Sequence, residues 1–160
     1  MIKQFLLNVL LMIVWVLLTG SFTLADFIFG FVLGYGILWL VYRLSKGEGR
    51  RYFIVVPKSI MLFLFFIKEL IKANLHVAYE VMTPKLRITP GIVAVPLSVT
   101  SDFEILLLTN LISLTPGTFC IDVSKDRKTL YVHEMYVGNK EQYIKNIKNG
   151  FEKRILEITQ

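Results

Sequence analysis

Between Gln4 and Tyr42 the chain carries a single ionised side chain at neutral pH, Asp26. That stretch decides what the chain can be: an integral membrane protein whose first 44 residues cross the bilayer. It divides into two runs, Phe5 to Leu18, extending uncharged to Ala25, and Leu24 to Leu44. Each is close to the ~20 apolar residues that carry a helix across the hydrocarbon core. Two helices with little tilt are predicted, joined by a tight Gly20-Ser21-Phe22-Thr23 turn. Thr23 or Ser21 is placed to cap the second helix, with Asp26 near its positive end. Lys3, an apolar run and Thr19-Gly20-Ser21 also fit a cleaved signal peptide. The second apolar run follows too closely to leave a soluble start, so an uncleaved anchor is expected.

Charge supplies the orientation. All Lys and Arg except Lys3 lie from Arg43 onward, and the turn between the two runs has none. Arg43, Lys46, Arg50 and Arg51 follow the second run. Basic flanks stay in the cytoplasm, so both ends of the hairpin are expected inside. Only 19% of residues are charged, against roughly a quarter in soluble domains, yet the net charge is +6. Beside an apolar anchor, that excess points to a membrane surface and not to nucleic acid. Gly30 and Gly34 form a Gly-x-x-x-Gly pair, the spacing at which another helix backbone can approach closely. Ordinary glycine enrichment in membrane helices gives the same pattern.

A third apolar stretch begins at Pro57, a residue suited to a helix's first turn. Lys58, Lys68, Glu69, Lys72, His76 and Glu80 fall on one stripe at about 100° per residue, and the remainder is apolar apart from Asn74. This predicts an amphipathic helix in the membrane interface or against a partner, its stripe solvated or facing headgroups. A third span with snorkelling lysines is the rival reading.

Thr83-Pro84 and Thr89-Pro90-Gly91 are turn signals. A strand is predicted over Ile92 to Leu97, then a helix over Phe103 to Leu114 capped by Thr100 or Ser101. That helix is apolar nearly all round, implying burial on more than one side. Thr115-Pro116-Gly117 breaks it. Thr118 to Val123 alternates, with Phe119, Ile121 and Val123 on one side and Thr118, Cys120 and Asp122 on the other. Ser124 to Lys128 turns the chain into a strand from Thr129 to Val137. A final helix starts at Gly138-Asn139, with Ile144, Ile147, Phe151, Ile155 and Ile158 at helical spacing. The fold class is a membrane α-helical hairpin plus a small α+β domain, β-α-β-β-α, with helices on one sheet face and a long amphipathic helix as the link. The expected plan is 1–44 for the two spans, 45–82 for the basic link and interfacial helix, and 83–160 for a cytoplasmic domain.

Little catalytic chemistry is legible. Cys120 is the only cysteine, so no internal disulfide and no Cys/His metal set is expected. A Cys120-His133-Asp122 nucleophile set is conceivable. A small core cysteine and a His133 paired across the sheet explain the same residues. No cofactor, metal or catalytic residue is expected, and no proton path: Asp26 is the one acid in the membrane runs, placed as a cap.

The paired short helices, the Arg50-Arg51 link and the long amphipathic helix lead into Leu111-Ile112-Ser113-Leu114-Thr115-Pro116-Gly117-Thr118 and Ile121-Asp122-Val123. This combination resembles the E subunit of Mrp/Mnh-type multisubunit monovalent cation/proton antiporters, over essentially the whole chain. Tyr131-Val132-His133-Glu134 is similar to the strand that follows in relatives. The resemblance implies an accessory, assembly-supporting subunit of a bacterial or archaeal plasma-membrane complex exchanging Na⁺ for H⁺, with membrane lipid and other subunits as partners. Larger subunits would hold the ion paths. The motif turn, Thr115, Pro116, Gly117 and Thr118 with Asp122, serves either shape or docking. A stand-alone membrane-anchored module binding anionic lipid or an acidic partner is the alternative function.

Overall fold

The structure is a computed structural model that describes residues 2–45, 50–83 and 88–160. The Lys46-Gly47-Glu48-Gly49 part of the expected link, and Pro84 of the expected Thr83-Pro84 turn, lie outside these residues. The chain forms two compact units, Met1–Pro57 and Lys58–Gln160. That division falls inside a helix instead of at the expected 44/45 and 82/83 boundaries, because side chains on either side of Pro57 pack into different cores.

The first unit holds α1 (Ile2–Thr19), α2 (Leu24–Ser45) and the opening turns of α3 (Arg50–Met82). The segments Ile2–Thr19 and Leu24–Leu44 are long and apolar enough to cross a membrane, and only 17% of each is buried, the reverse of a soluble core helix. Gly20 closes α1 at φ 65°, the left-handed conformation glycine adopts most readily. Of the two cap candidates, Thr23 does the work: its hydroxyl accepts the Asp26 amide at 3.3 Å, and Asp26 in turn accepts the Ser21 and Thr23 hydroxyls.

Pro57 lies inside α3 and not at its start. A proline there removes the amide that would bond the carbonyl four residues earlier. That carbonyl belongs to Phe53, and it accepts the Tyr35 hydroxyl at 3.4 Å. Tyr52 and Phe53 also pack their rings against Tyr35, so α2 holds the turn that the proline weakens.

The second unit contains the rest of α3, then β1 (Gly91–Pro96), α4 (Asp102–Ser113), β2 (Thr118–Val123), β3 (Thr129–Glu134), α5 (Lys140–Ile147) and α6 (Lys153–Thr159). A π-helical segment, Lys148–Glu152, joins the last two helices. The strands form one antiparallel sheet in the order β1-β3-β2. Val93, Val95, Leu130 and Val132 point from it into a core completed by Leu108, Ile112, Ile147, Phe151 and Ile155.

Two expectations change here. A bulge between Cys120 and Asp122 shifts the register of β2, so Val123 turns inward with Cys120 while Phe119 and Ile121 remain exposed. One extra residue in a strand reverses every later side chain. In addition, α4 is buried on one side only: Ile105, Leu108 and Ile112 face the core, whereas Phe103, Leu106 and Leu114 are exposed.

Candidate functional site

The glycine pair lies at the α1–α2 seam. A Cβ at Gly30 would sit 3.0 Å from the Trp15 ring, and one at Gly34 would meet Asn8 Oδ1 at 2.5 Å. The close approach is therefore to this chain's own first helix. Asn8 is fully buried there, its Nδ2 donating to the Tyr52 hydroxyl at 3.1 Å. Gly36 has open space where a Cβ would be.

The charged stripe of α3 has a different surrounding from the expected one. Leu62 and Phe65 lie on the same side of the helix as the stripe, and both join the core of the second unit. Part of the stripe is therefore covered by that unit, while Lys68, Lys72 and His76 stay exposed. Lys58 donates to the Glu157 carbonyl at 3.0 Å, His76 packs edge-on against Tyr136 at 4.4 Å, and Glu80 is buried. Glu69 is partly covered and 4.0 Å from Lys72, which is exposed. Lys68 is exposed as well. The opposite, apolar side is bare, with Ile60, Met61, Phe63, Leu64, Ile71, Leu75 and Tyr79 uncovered.

The Thr115-Pro116-Gly117-Thr118 turn reverses the chain from α4 into β2. The Thr118 amide donates to the Thr115 carbonyl at 3.2 Å, and Gly117 sits at φ 90°, a conformation any side chain would strain. The Thr115 hydroxyl donates to the Leu111 carbonyl at 3.0 Å, and the Thr118 hydroxyl to the Ile112 and Thr115 carbonyls. Both threonines thus satisfy helix-end carbonyls that a break leaves open. Asp122 lies away from this turn, exposed at the bulge, its Oδ1 accepting the Val123 amide at 2.8 Å.

Thr115, Pro116 and Thr118 also wall a cavity of about 830 Å³ between α3, the end of β3 and the π-helical segment. Glu134 lines it, with 8% of its surface exposed. Burial pushes its carboxyl pKa up, against the pull of the Tyr143 hydroxyl and the Tyr136 amide. Burial likewise raises the Tyr143 phenol, with Glu134 adding to it. The π-helical turn contributes Gly150, close against Phe65. Arg154 donates to the Asn149 and Gly150 carbonyls at 3.1 and 2.8 Å and lays its guanidinium over the Phe65 ring at 3.8 Å.

Cys120 and His133 lie on opposite faces of the sheet. Cys120 stands opposite Val132 and faces the core, whereas His133 is paired with Phe119 and Ile92 on the outer face. The Cys120 thiol reaches the Thr109 carbonyl at 3.5 Å, and burial raises its pKa. The nucleophile set is not assembled. Among the described residues no group of His, Cys, Asp and Glu is placed to hold a metal.

Three buried acids are not evident from sequence pattern alone. Glu134 shares parity with Leu130 and Val132, which places it on the inner face. Ser101-Asp102-Phe103-Glu104 is a capping-box pattern, and Glu104 completes the box. Lys148 and Glu152 have the spacing of a helical ion pair, formed at 2.9 Å. Charge marks all three as surface.

Comparison with known proteins identifies the family over nearly the whole chain. The family described as "Na+/H+ ion antiporter subunit" matches residues 8–158. The E subunit of the Na(+)/H(+) antiporter of Alkalihalophilus pseudofirmus is 43% identical over 98% of both chains. This chain belongs to the antiporter E-subunit family. Two solved complexes contain chains similar to it. One is the membrane-bound sulfane sulfur reductase, an archaeal respiratory membrane complex, at 27% identity and TM-score 0.55 over 96% of each chain. The other is the Mrp complex of Dietzia sp., at 25% identity and TM-score 0.50 over 63% of this chain and 94% of that one. As a member of the E-subunit family, the chain is a membrane-located component of a multisubunit antiporter.

Proposed function

We propose that this chain supports assembly of a monovalent cation/proton antiporter in a bacterial or archaeal plasma membrane. It crosses twice, with its N-terminus and second unit cytoplasmic, and it holds neither an ion path nor an enzyme site. The observation that carries the reading is the near full-length family match combined with apolar faces that the chain leaves bare. The hairpin consumes Gly30 and Gly34 internally and offers Gly36 and its lipid-facing side chains outward. The uncovered side of α3 and the outer sheet face, with Ile92, Phe119, Ile121 and Tyr131 exposed, are surfaces of the kind that mark contacts with partners or membrane. A related fold in a sulfane sulfur reductase complex fits a scaffold better than a cation-selective device. The basic residues flanking the hairpin support the cytoplasmic orientation.

Deleting the gene is expected to lower the yield of assembled complex and the cell's sodium tolerance, and both should return with the wild-type chain and with Cys120→Ala. A chain that purifies alone as a monomer in mild detergent, and whose loss leaves sodium tolerance intact, contradicts this function.

A further inference from the structure

The cavity beside the family-motif turn has a property that scaffolding does not use. Its volume falls in the range of small-molecule sites, and Glu134 reaches it from the end of β3. Glu134 Oε2 is buried without a hydrogen-bond partner among the described residues. An acceptor left this way is costly, and a native structure that keeps one calls for an explanation. Among the described basic residues that line the cavity none bonds Oε2, and His76 is packed edge-on against Tyr136. Arg154 is held by two carbonyls and the Phe65 ring, and Lys72 stands in solvent near Glu69. The rings of Tyr136 and Tyr143 line the same space, and aromatic faces beside a carboxylate attract cations. Arg154 over Phe65 shows one ring of this cavity already doing so.

We propose that the cavity binds a primary ammonium group, its N–H donors meeting Glu134 and its charge boxed by Tyr136 and Tyr143. The missing donor at Oε2 selects a primary over a quaternary ammonium, which has no N–H to give. The ammonium has two possible sources, a free alkylamine or the headgroup of an ethanolamine lipid. For the lipid, Lys72 at the rim is the cation that would meet the phosphate. The site does not rest on the assembly role, and the test below reads binding alone.

The full chain carrying ¹³C-labelled tyrosine rings is placed in phosphatidylcholine nanodiscs and titrated with butylammonium chloride, with butanol as the uncharged control. The Tyr136 and Tyr143 resonances should shift saturably with butylammonium and not with butanol. Glu134→Gln, which keeps the shape of the side chain, should weaken binding at least about tenfold, as loss of a charge-assisted hydrogen bond implies. If a lipid is the source, phosphatidylethanolamine nanodiscs shift the same resonances and butylammonium competes. No saturable shift with either amine overturns the proposal, as does undiminished binding to a folded Glu134→Gln chain. Should that variant unfold, the butanol comparison on the wild-type chain decides: equal binding of alcohol and amine overturns it.

Discussion

Gly34→Ala tests the hairpin seam, with Gly36→Ala as its partner experiment. Both substitutions gain the same helix propensity, up to about 1 kcal/mol, so propensity cancels in their difference. What remains is steric. The new methyl at Gly36 meets nothing within 4 Å, while at Gly34 it lands 2.5 Å from Asn8 Oδ1 and 3.1 Å from Leu11 Cβ. The first distance is roughly 1 Å inside ordinary contact. Asn8 cannot simply turn away, because its amide is fully buried and tied to the Tyr52 hydroxyl. Overpacking of this kind costs about 1–3 kcal/mol, and that is the expected gap between the two variants. The chain's two tryptophans, Trp15 and Trp39, both lie in the hairpin helices. Tryptophan fluorescence during SDS titration of dodecylmaltoside micelles therefore reads this unit. If Gly34→Ala resists SDS as well as Gly36→Ala does, the seam is not packed as described.

Glu152→Ala removes the acceptor for the Ser98 and Val99 amides and the partner of Lys148. Because Glu152 is almost fully buried, a loss of about 3–5 kcal/mol is expected. Hydrogen exchange should show it as lost protection at Val99 and along α6. Glu104 accepts the Thr100 and Ser101 amides and the Thr159 hydroxyl, which hold its pKa down at about 2. A depressed carboxyl contributes stability above its unfolded pKa near 4.5 and loses it as pH falls toward 2. The stability gap between wild type and Glu104→Gln should accordingly be constant above about pH 5 and shrink between pH 4.5 and 2. Thermal melts across that range check it, and a gap that widens with acid contradicts the assignment.

The parts of this fold legible in sequence are those written in local pattern. Two apolar runs around a Gly-Ser-Phe-Thr turn mark α1 and α2, and Thr-Pro-Gly-Thr marks the break between α4 and β2. Strand and helix order in the second unit follows from periodicity and turn chemistry. Features set by distant contacts are hidden. Pro57 looks like a helix start because Tyr35, which supports the interior turn, lies far back in the chain. The bulge in β2 and the π-helical turn before α6 each insert a residue that no periodic template anticipates. The charged stripe of α3 resembles a wet face because spacing groups residues on a side without saying what covers it. The cavity is invisible for the same reason: Phe65, Thr118, Glu134 and Gly150 meet only once three elements have packed.

The side of the membrane that the second unit occupies is the most direct point of test. A cysteine introduced at Asn139, the exposed cap of α5, in a chain carrying Cys120→Ala, can be probed with a membrane-impermeant maleimide. Intact cells should leave it unlabelled, and permeabilised cells should label it fully. Labelling of that cysteine on sealed cells would place the unit outside and contradict the two-span hairpin.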